Sequence, residues 1–100
     1  MQYDNRKIEG DLNLSSDLEF HGMVTGNIKV LPGATLFLHG ICGENLIVES
    51  KATAHVHGTV GGNVENRGGI VEILGTVTGH VLELSGTTFI DKNAMILKKR

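Results

Sequence analysis

Three histidines recur at a constant spacing and are the first candidates for chemistry in this 100-residue chain. His21, His39 and His57 lie 18 residues apart, and a glycine follows each of them. If the chain repeats its conformation every 18 residues, the imidazoles stack along one edge about 4.8 Å apart. Imidazole nitrogens at that spacing could bind Zn²⁺ or Ni²⁺, but a zinc site takes three or four protein ligands. No carboxylate belongs to this column, so we expect a stacked polar corner and no metal site.

A polar interruption of an apolar column is the second candidate. Asn66 and Glu83 are 17 residues apart, at positions where the preceding repeats carry valine. One interpretation is a small polar site in which Arg67 or an amide pairs with the carboxylate, because a buried unpaired charge is costly. The interpretation we favour is a slip of the strand by one residue, which turns Leu82 and Leu84 inward and exposes Glu83 to water.

The remaining polar candidates are interpreted as structural. Cys42 falls in an inward position among aliphatic residues, where a thiol is inert packing, and a single cysteine cannot form an intrachain disulfide. Asn27, Asn45 and Asn63 share another column at the same spacing. We expect their amides to hydrogen-bond along the stack and to satisfy backbone groups at a turn.

These residues recur because they belong to an eight-residue sequence motif that is repeated along the chain. HGMVTGNI begins at His21, HGICGENL at His39, HGTVGGNV at His57 and LGTVTGHV at Leu74. Self-similarity at a fixed period is typical of a solenoid, in which each repeat packs on its neighbours. Within a repeat, apolar and polar residues alternate with period two, which predicts strands, and no stretch has the 3.6-residue period of a helix.

Inward positions recur every six residues. The series from Leu12 to Asn66 is apolar at every member but the last, and it resumes after a one-residue deletion. Its later members are Val71, Val77, Glu83, Phe89 and Met95. Three sixes per coil predict a triangular parallel β-helix of about five coils of about 18 residues. We place it over residues 9–97, with an N-terminal tail at 1–8 and a basic C-terminal tail at 98–100. Parallel crossovers are overwhelmingly right-handed, which favours a right-handed over a left-handed helix.

The segment from Gly22 to Gly40 has the pattern GxVxGNIxVxxGATLxLxG. It resembles the bactofilins, bacterial cytoskeletal proteins that form polymers. The resemblance implies a right-handed triangular β-helix that assembles end to end into filaments without a nucleotide and scaffolds other proteins. Bactofilins often carry a short apolar membrane-targeting segment at the N-terminus. Here MQYDNRK offers only Met1 and Tyr3, so we do not expect membrane association.

The two ends of such a solenoid are the predicted self-association surface. End coils expose unpaired strand edges and an open core, and the sequence contains no capping helix. Tails that fold over the ends are the alternative. The apolar residues near the two ends are Leu12, Leu14, Leu18 and Phe20, and Phe89, Ile90, Met95, Ile96 and Leu97.

Composition narrows the class of function. A net charge of −2 gives no general attraction for nucleic acid. No apolar run approaches the length of a membrane span, which favours a cytoplasmic protein. No glycine stretch joins a strand to a helix, so no phosphate loop is predicted. We therefore expect a non-enzymatic structural protein without a cofactor, whose partner is another copy of itself. The alternative is a discrete protein-binding module, of inhibitor or immunity type, that uses a flat face.

Overall fold

The computed structural model describes residues 2–98, and within that range the chain forms parallel strands and no helix. The strands stack into a β-solenoid of about six turns with about 17 residues per turn. The predicted all-β parallel solenoid is confirmed, with one turn more than expected. The hand of the helix stays a prediction.

Each coil contributes strands to three faces. The strands are β1 (Gln2–Asp4), β2 (Lys7–Ile8), β3 (Leu12–Leu14), β4 (Leu18–Phe20), β5 (Met23–Val24), β6 (Ile28–Val30), β7 (Thr35–Leu38), β8 (Ile41–Cys42), β9 (Leu46–Val48), β10 (Thr53–Val56), β11 (Thr59–Val60), β12 (Val64–Ile73), β13 (Thr76–Val77), β14 (Val81–Ile90) and β15 (Met95–Ile96). Face 1 contains β1, β4, β7, β10 and the second halves of β12 and β14. Face 2 contains β2, β5, β8, β11, β13 and β15. Face 3 contains β3, β6, β9 and the first halves of β12 and β14.

The predicted N-terminal tail is wrong, because residues 2–8 belong to the first coil. Gln2 lies opposite Leu18 and Asp4 lies opposite Phe20 in the β1–β4 ladder, and β2 pairs with β5. Polar residues occupy inward columns there, so the apolar pattern that marks the later coils is missing. Met1 of this predicted tail lies outside the described residues. At the other end, Lys99 and Arg100 of the predicted basic tail also lie outside them.

The core is a set of stacked aliphatic columns. Alternate residues of each strand point inward, and the buried apolar side chains form one continuous cluster along the solenoid. Its members include Leu18, Val24, Val30, Leu36, Cys42, Val48, Ala54, Val60, Val71 and Val77 from the predicted six-residue series. Asn66 is the one buried polar residue among the described residues.

The six-residue series is wrong in the last coil. Thr88, and not Phe89, lies opposite the buried Val71, so Phe89 faces outward. Ile96, and not Met95, continues the inward column of face 2. The step from face 3 to face 1 is five residues here, as it is one coil earlier. This missing residue turns Phe89 outward. The next step, from Thr88 to Ile96, is eight residues and not six, which moves the inward position of face 2 from Met95 to Ile96.

The repeated glycines fit two kinds of corner. A Cβ on Gly40 would collide with the carbonyl oxygen of Gly22 in the coil below, and Gly58 and Gly75 are crowded in the same way. These glycines leave room for backbone that passes directly beneath them. Gly33 is different, because it has φ +89° and open space around it. There the left-handed backbone conformation requires glycine.

Candidate functional site

The predicted histidine column forms an aromatic stack on the edge that follows face 1. The ring of Tyr3 lies 4.5 Å from that of His21, centroid to centroid, at 27°. The His21–His39 and His39–His57 pairs are each 4.7 Å apart and 9° from parallel. Each histidine directly follows a strand of face 1, so the ring spacing matches the spacing of the strands. We call these four residues the histidine edge.

A carboxylate reaches the histidine edge from the neighbouring column. Glu19 lies opposite Phe37 in the β4–β7 ladder, so its column is not that of the histidines. Its Oε2 nevertheless lies 2.7 Å from Nε2 of His21. The potential ligand atoms of Glu19, His21 and His39 all lie within 4.8 Å of one another. The sequence prediction missed this cluster because it considered one column. The Glu-x-His spacing, which puts two side chains on one side of a strand, is the signal that finds it.

The pKa values of two side chains at the histidine edge are shifted. Burial and the neighbouring rings of His57 and His21 lower the pKa of His39. Its imidazole is therefore neutral at neutral pH. The hydrogen bond from His21 lowers the pKa of Glu19, which stays ionised. The edge thus combines one carboxylate with at least one neutral imidazole.

The neighbouring outward column of face 1 is also aromatic. The Phe37 and His55 rings stack with centroids 4.6 Å apart and an interplanar angle of 11°. Nδ1 of His55 lies 2.7 Å from Oε1 of Glu72 in the next coil. His55 therefore already has a carboxylate partner of its own, away from the histidine edge.

The asparagine column is structural, as predicted. The backbone N–H of Asn45 donates to Oδ1 of Asn27 at 2.9 Å, and that of Asn63 donates to Oδ1 of Asn45 at 2.8 Å. Asp11 accepts from Asn27 at the start of the series, and Asn63 accepts from His80 at its end. Each side chain thereby satisfies a backbone group of the following coil.

Asn66 holds the corner between faces 3 and 1. Its Nδ2 donates to the carbonyl oxygen of Thr87 at 2.9 Å and to Oγ1 of Thr88 at 3.0 Å. Its Oδ1 accepts from the backbone N–H groups of Gly68 and Gly69 at 3.1 and 2.9 Å. All four hydrogen bonds of the amide are made, so the buried polar group is compensated. Its role is to brace the turn.

The expected one-residue slip at Glu83 is wrong. Glu83 lies opposite Asn66 in register, and the irregularity of the ladder comes after this pair. Leu82 therefore keeps an outward position, and Leu84 falls at the bulge with 69% of its surface exposed. Glu83 is exposed because it belongs to the last coil. Arg67 bonds to two other glutamates, so the Arg67–Glu83 pair of the alternative interpretation is not formed.

Cys42 is packed as expected. It is fully buried, and burial raises the pKa of its thiol to about 11. Its Sγ lies 3.3 Å from the carbonyl oxygen of Asn45, within reach of a weak S–H hydrogen bond. The thiol is protonated at neutral pH, and a protonated buried thiol is a poor nucleophile.

The N-terminal end of the solenoid is largely closed and polar. The first coils bury Leu14, Leu18 and Phe20, which were predicted to mediate self-association, and Leu12 is partly buried. Leu18 and Phe20 form core because β1 of the first coil covers them, whereas Leu12 and Leu14 belong to the first coil and pack against β6 of the next. A recess of about 190 Å³ at this end is lined by Gln2, Asp4, Arg6, Leu12, Asn13, Leu14, Ser15, Ser16, Asp17 and Leu18.

The C-terminal end is open and apolar. Ile90 lies opposite Ile73 in an inward column, and 45% of its surface is exposed. Phe89, Met95 and Leu97 are also exposed, whereas Ile96 is partly buried. In residues 2–98, β14 pairs with β12 alone, and its other edge is free. Among the described residues, the predicted apolar surface is exposed at this end and is mostly buried at the N-terminal end.

No protein-family model, curated protein or solved structure matches the chain. Within residues 2–98 there is no helix long and apolar enough to cross a membrane.

Proposed function

We propose that this chain is a non-enzymatic, bactofilin-like structural protein that self-assembles end to end through its terminal coils. Its role is that of a cytoplasmic scaffold, and its main partner is a second copy of itself. The observation that carries the proposal is the open C-terminal coil, where Ile90 extends the column of the fully buried Ile73 but is 45% exposed. A further coil docked on this end completes the column.

The backbone groups of β14 support assembly through the same surface. β14 is ten residues long, and within the described part of the chain its outer edge presents a row of N–H and C=O groups that pair with no other strand. Such an edge is a template for a strand from another chain. Exposed Leu84 and Ile90 lie on this strand, so docking buries apolar side chains and pairs backbone groups at once. Among residues 2–98, the polar N-terminal coil also has free strand edges in β1, β2 and β3 but offers less apolar surface.

A pair of isoleucine substitutions tests the proposal. Ile90 is 45% exposed on the C-terminal coil, and Ile41 is 42% exposed in the middle of face 2. We expect Ile90→Glu to reduce the mass of the assemblies measured by light scattering, while Ile41→Glu leaves it unchanged. The two variants change charge and exposed apolar area almost equally. Equal masses for Ile90→Glu and the unsubstituted chain contradict assembly through this end.

A discrete protein-binding module is the second candidate, and one feature of face 2 favours it. Met23 and Ile41 are directly opposite one another and are both exposed, forming a small apolar patch away from the ends. A partner that recognises this patch would give a complex of fixed stoichiometry. In that case Ile41→Glu abolishes binding of the partner and Ile90→Glu does not.

A further inference from the structure

The histidine edge brings together three metal-ligating side chains from two successive coils. Glu19 and His21 come from the β4 coil, and His39 comes from the β7 coil. Their potential ligand atoms lie within 4.8 Å of one another. We propose that Glu19, His21 and His39 bind a divalent transition-metal ion of the Zn²⁺ class. This site is independent of the end-to-end assembly.

The ligand types fit such an ion. Imidazole nitrogen and carboxylate oxygen are both ordinary Zn²⁺ ligands, with bonds of about 2.0–2.2 Å. Two histidines and one carboxylate leave the fourth tetrahedral position for water, which is the arrangement of an open zinc site. Ca²⁺ and Mg²⁺ prefer all-oxygen ligand sets, so the two imidazoles disfavour them.

The distances require only side-chain movement. Two ligands of one tetrahedral Zn²⁺ ion are about 3.3 Å apart, given bonds of about 2.0 Å. The Glu19 and His21 atoms are already 2.7 Å apart, and the third ligand atom needs to approach by about 1.5 Å at most. The side chains of His21 and Glu19 are 32% and 39% exposed, so they can rotate without disturbing the core.

The backbone under the site is fixed by the solenoid. Glu19 lies within the β4–β7 ladder, and the N–H of His39 donates to the carbonyl oxygen of Phe20 at 2.8 Å. The two coils that supply the ligands therefore cannot drift apart locally. A site on rigid strands loses little conformational entropy when the ion binds.

His57 provides a matched control. It stacks on His39 at the same 4.7 Å and 9° that relate His39 to His21. However, it lies two coils from Glu19, a separation of about 9.6 Å at the ordinary strand spacing. Because it has the same stacking but lies outside the ligand cluster, its substitution tests the stack without removing a ligand.

Calorimetric titration of the EDTA-treated full chain with Zn²⁺ tests the site. We expect one Zn²⁺ per chain, with Glu19→Gln and His39→Gln each weakening the affinity by at least about tenfold. His57→Gln should change it by less than about twofold. Thermal melting without metal checks that each variant is folded, and His21→Gln gives an independent loss of a ligand.

Three outcomes overturn the proposal. The first is the absence of saturable Zn²⁺ binding to the unsubstituted chain. The second is an affinity that falls as much with His57→Gln as with His39→Gln, which means that the stack and not the three-ligand cluster binds the ion. The third is one Zn²⁺ per two chains, which means that the ion bridges copies. Because Ile90 is remote from the ligands in sequence and lies in the last coil, Zn²⁺ binding by Ile90→Glu separates this result from the outcome for assembly.

Discussion

Ile73 and Ile90 occupy the same inward column one coil apart, yet Ile73 is fully buried and Ile90 is 45% exposed. The neighbouring strand of the described chain covers Ile73 on the C-terminal side, whereas nothing in residues 2–98 covers Ile90. Full burial of an isoleucine side chain stabilises by about 1.5–3 kcal/mol, so a docked coil recovers a part of that from this residue alone. The last coil is therefore the surface on which an assembly gains most.

The first prediction concerns thermal stability as a function of concentration. Because assembly stabilises the folded chain by mass action, the Tm of the unsubstituted protein should rise with protein concentration. The Tm of Ile90→Glu should be lower at high concentration and should not vary with dilution. Differential scanning calorimetry over a wide concentration range measures both. A Tm that is independent of concentration in both proteins contradicts the prediction.

The second prediction concerns the asparagine column. Asn45→Ala removes the oxygen that accepts from the N–H of Asn63 at 2.8 Å and leaves that group without its partner. We expect a loss of about 1–3 kcal/mol in the free energy of unfolding, measured by urea denaturation. The control is Asn13→Ala, an exposed position in β3 that should change stability by less than about 0.5 kcal/mol. Equal effects of the two substitutions would contradict a stabilising role for the asparagine column.

The third prediction separates the two kinds of glycine corner. Gly40→Ala places a Cβ against the carbonyl oxygen of Gly22, so backbone must move, at a cost of about 3 kcal/mol or more. Gly33→Ala meets no atom and costs only the strain of a positive φ, about 1–2 kcal/mol. Urea denaturation of both variants checks the order. The reverse order would mean that the collision of a Cβ at Gly40 destabilises the fold less than the positive φ at Gly33 does.

The fourth prediction concerns pH. Burial and neighbouring imidazoles lower the pKa of His39 below its ordinary value of 6.5, so the unfolded chain binds a proton at this residue more readily than the folded chain does. Stability attributable to His39 is therefore lost as the pH falls below about 6.5. His39→Phe keeps an aromatic ring but removes the titration. Its free energy of unfolding should fall less between about pH 7 and pH 5 than that of the unsubstituted protein. Parallel pH profiles for the two proteins would contradict the assignment.

The repeat pattern predicts the core well in the middle of the chain because every coil there has the same length. Between Leu18 and Val60 the six-residue series follows the inward columns without error. It fails where the coil length changes. In the first coil, inward positions carry polar Gln2 and Asp4, so the apolar series does not indicate this coil. In the last coil, a second five-residue step turns Phe89 outward.

The candidate site was predicted only in part, for a reason of geometry. Residues of one column are one coil apart in the sequence, so the repeat pattern relates His21 to His39 but not to a side chain that reaches across columns. Glu19 on β4 is two residues before His21, which directly follows that strand, and the two side chains are hydrogen-bonded at 2.7 Å. Similarly, Leu18 and Phe20 are apolar near an end of the sequence, yet the polar coil that covers them makes them core.

Sedimentation velocity of the unsubstituted chain over a hundredfold range of concentration, with negative-stain imaging of the same samples, tests end-to-end assembly most directly. The open column at Ile90 predicts sedimentation coefficients that rise with concentration and rod-like particles of increasing length. A single monomer or dimer peak at every concentration would contradict the scaffold proposal. The apolar patch of Met23 and Ile41 would then be the surface to examine for a partner.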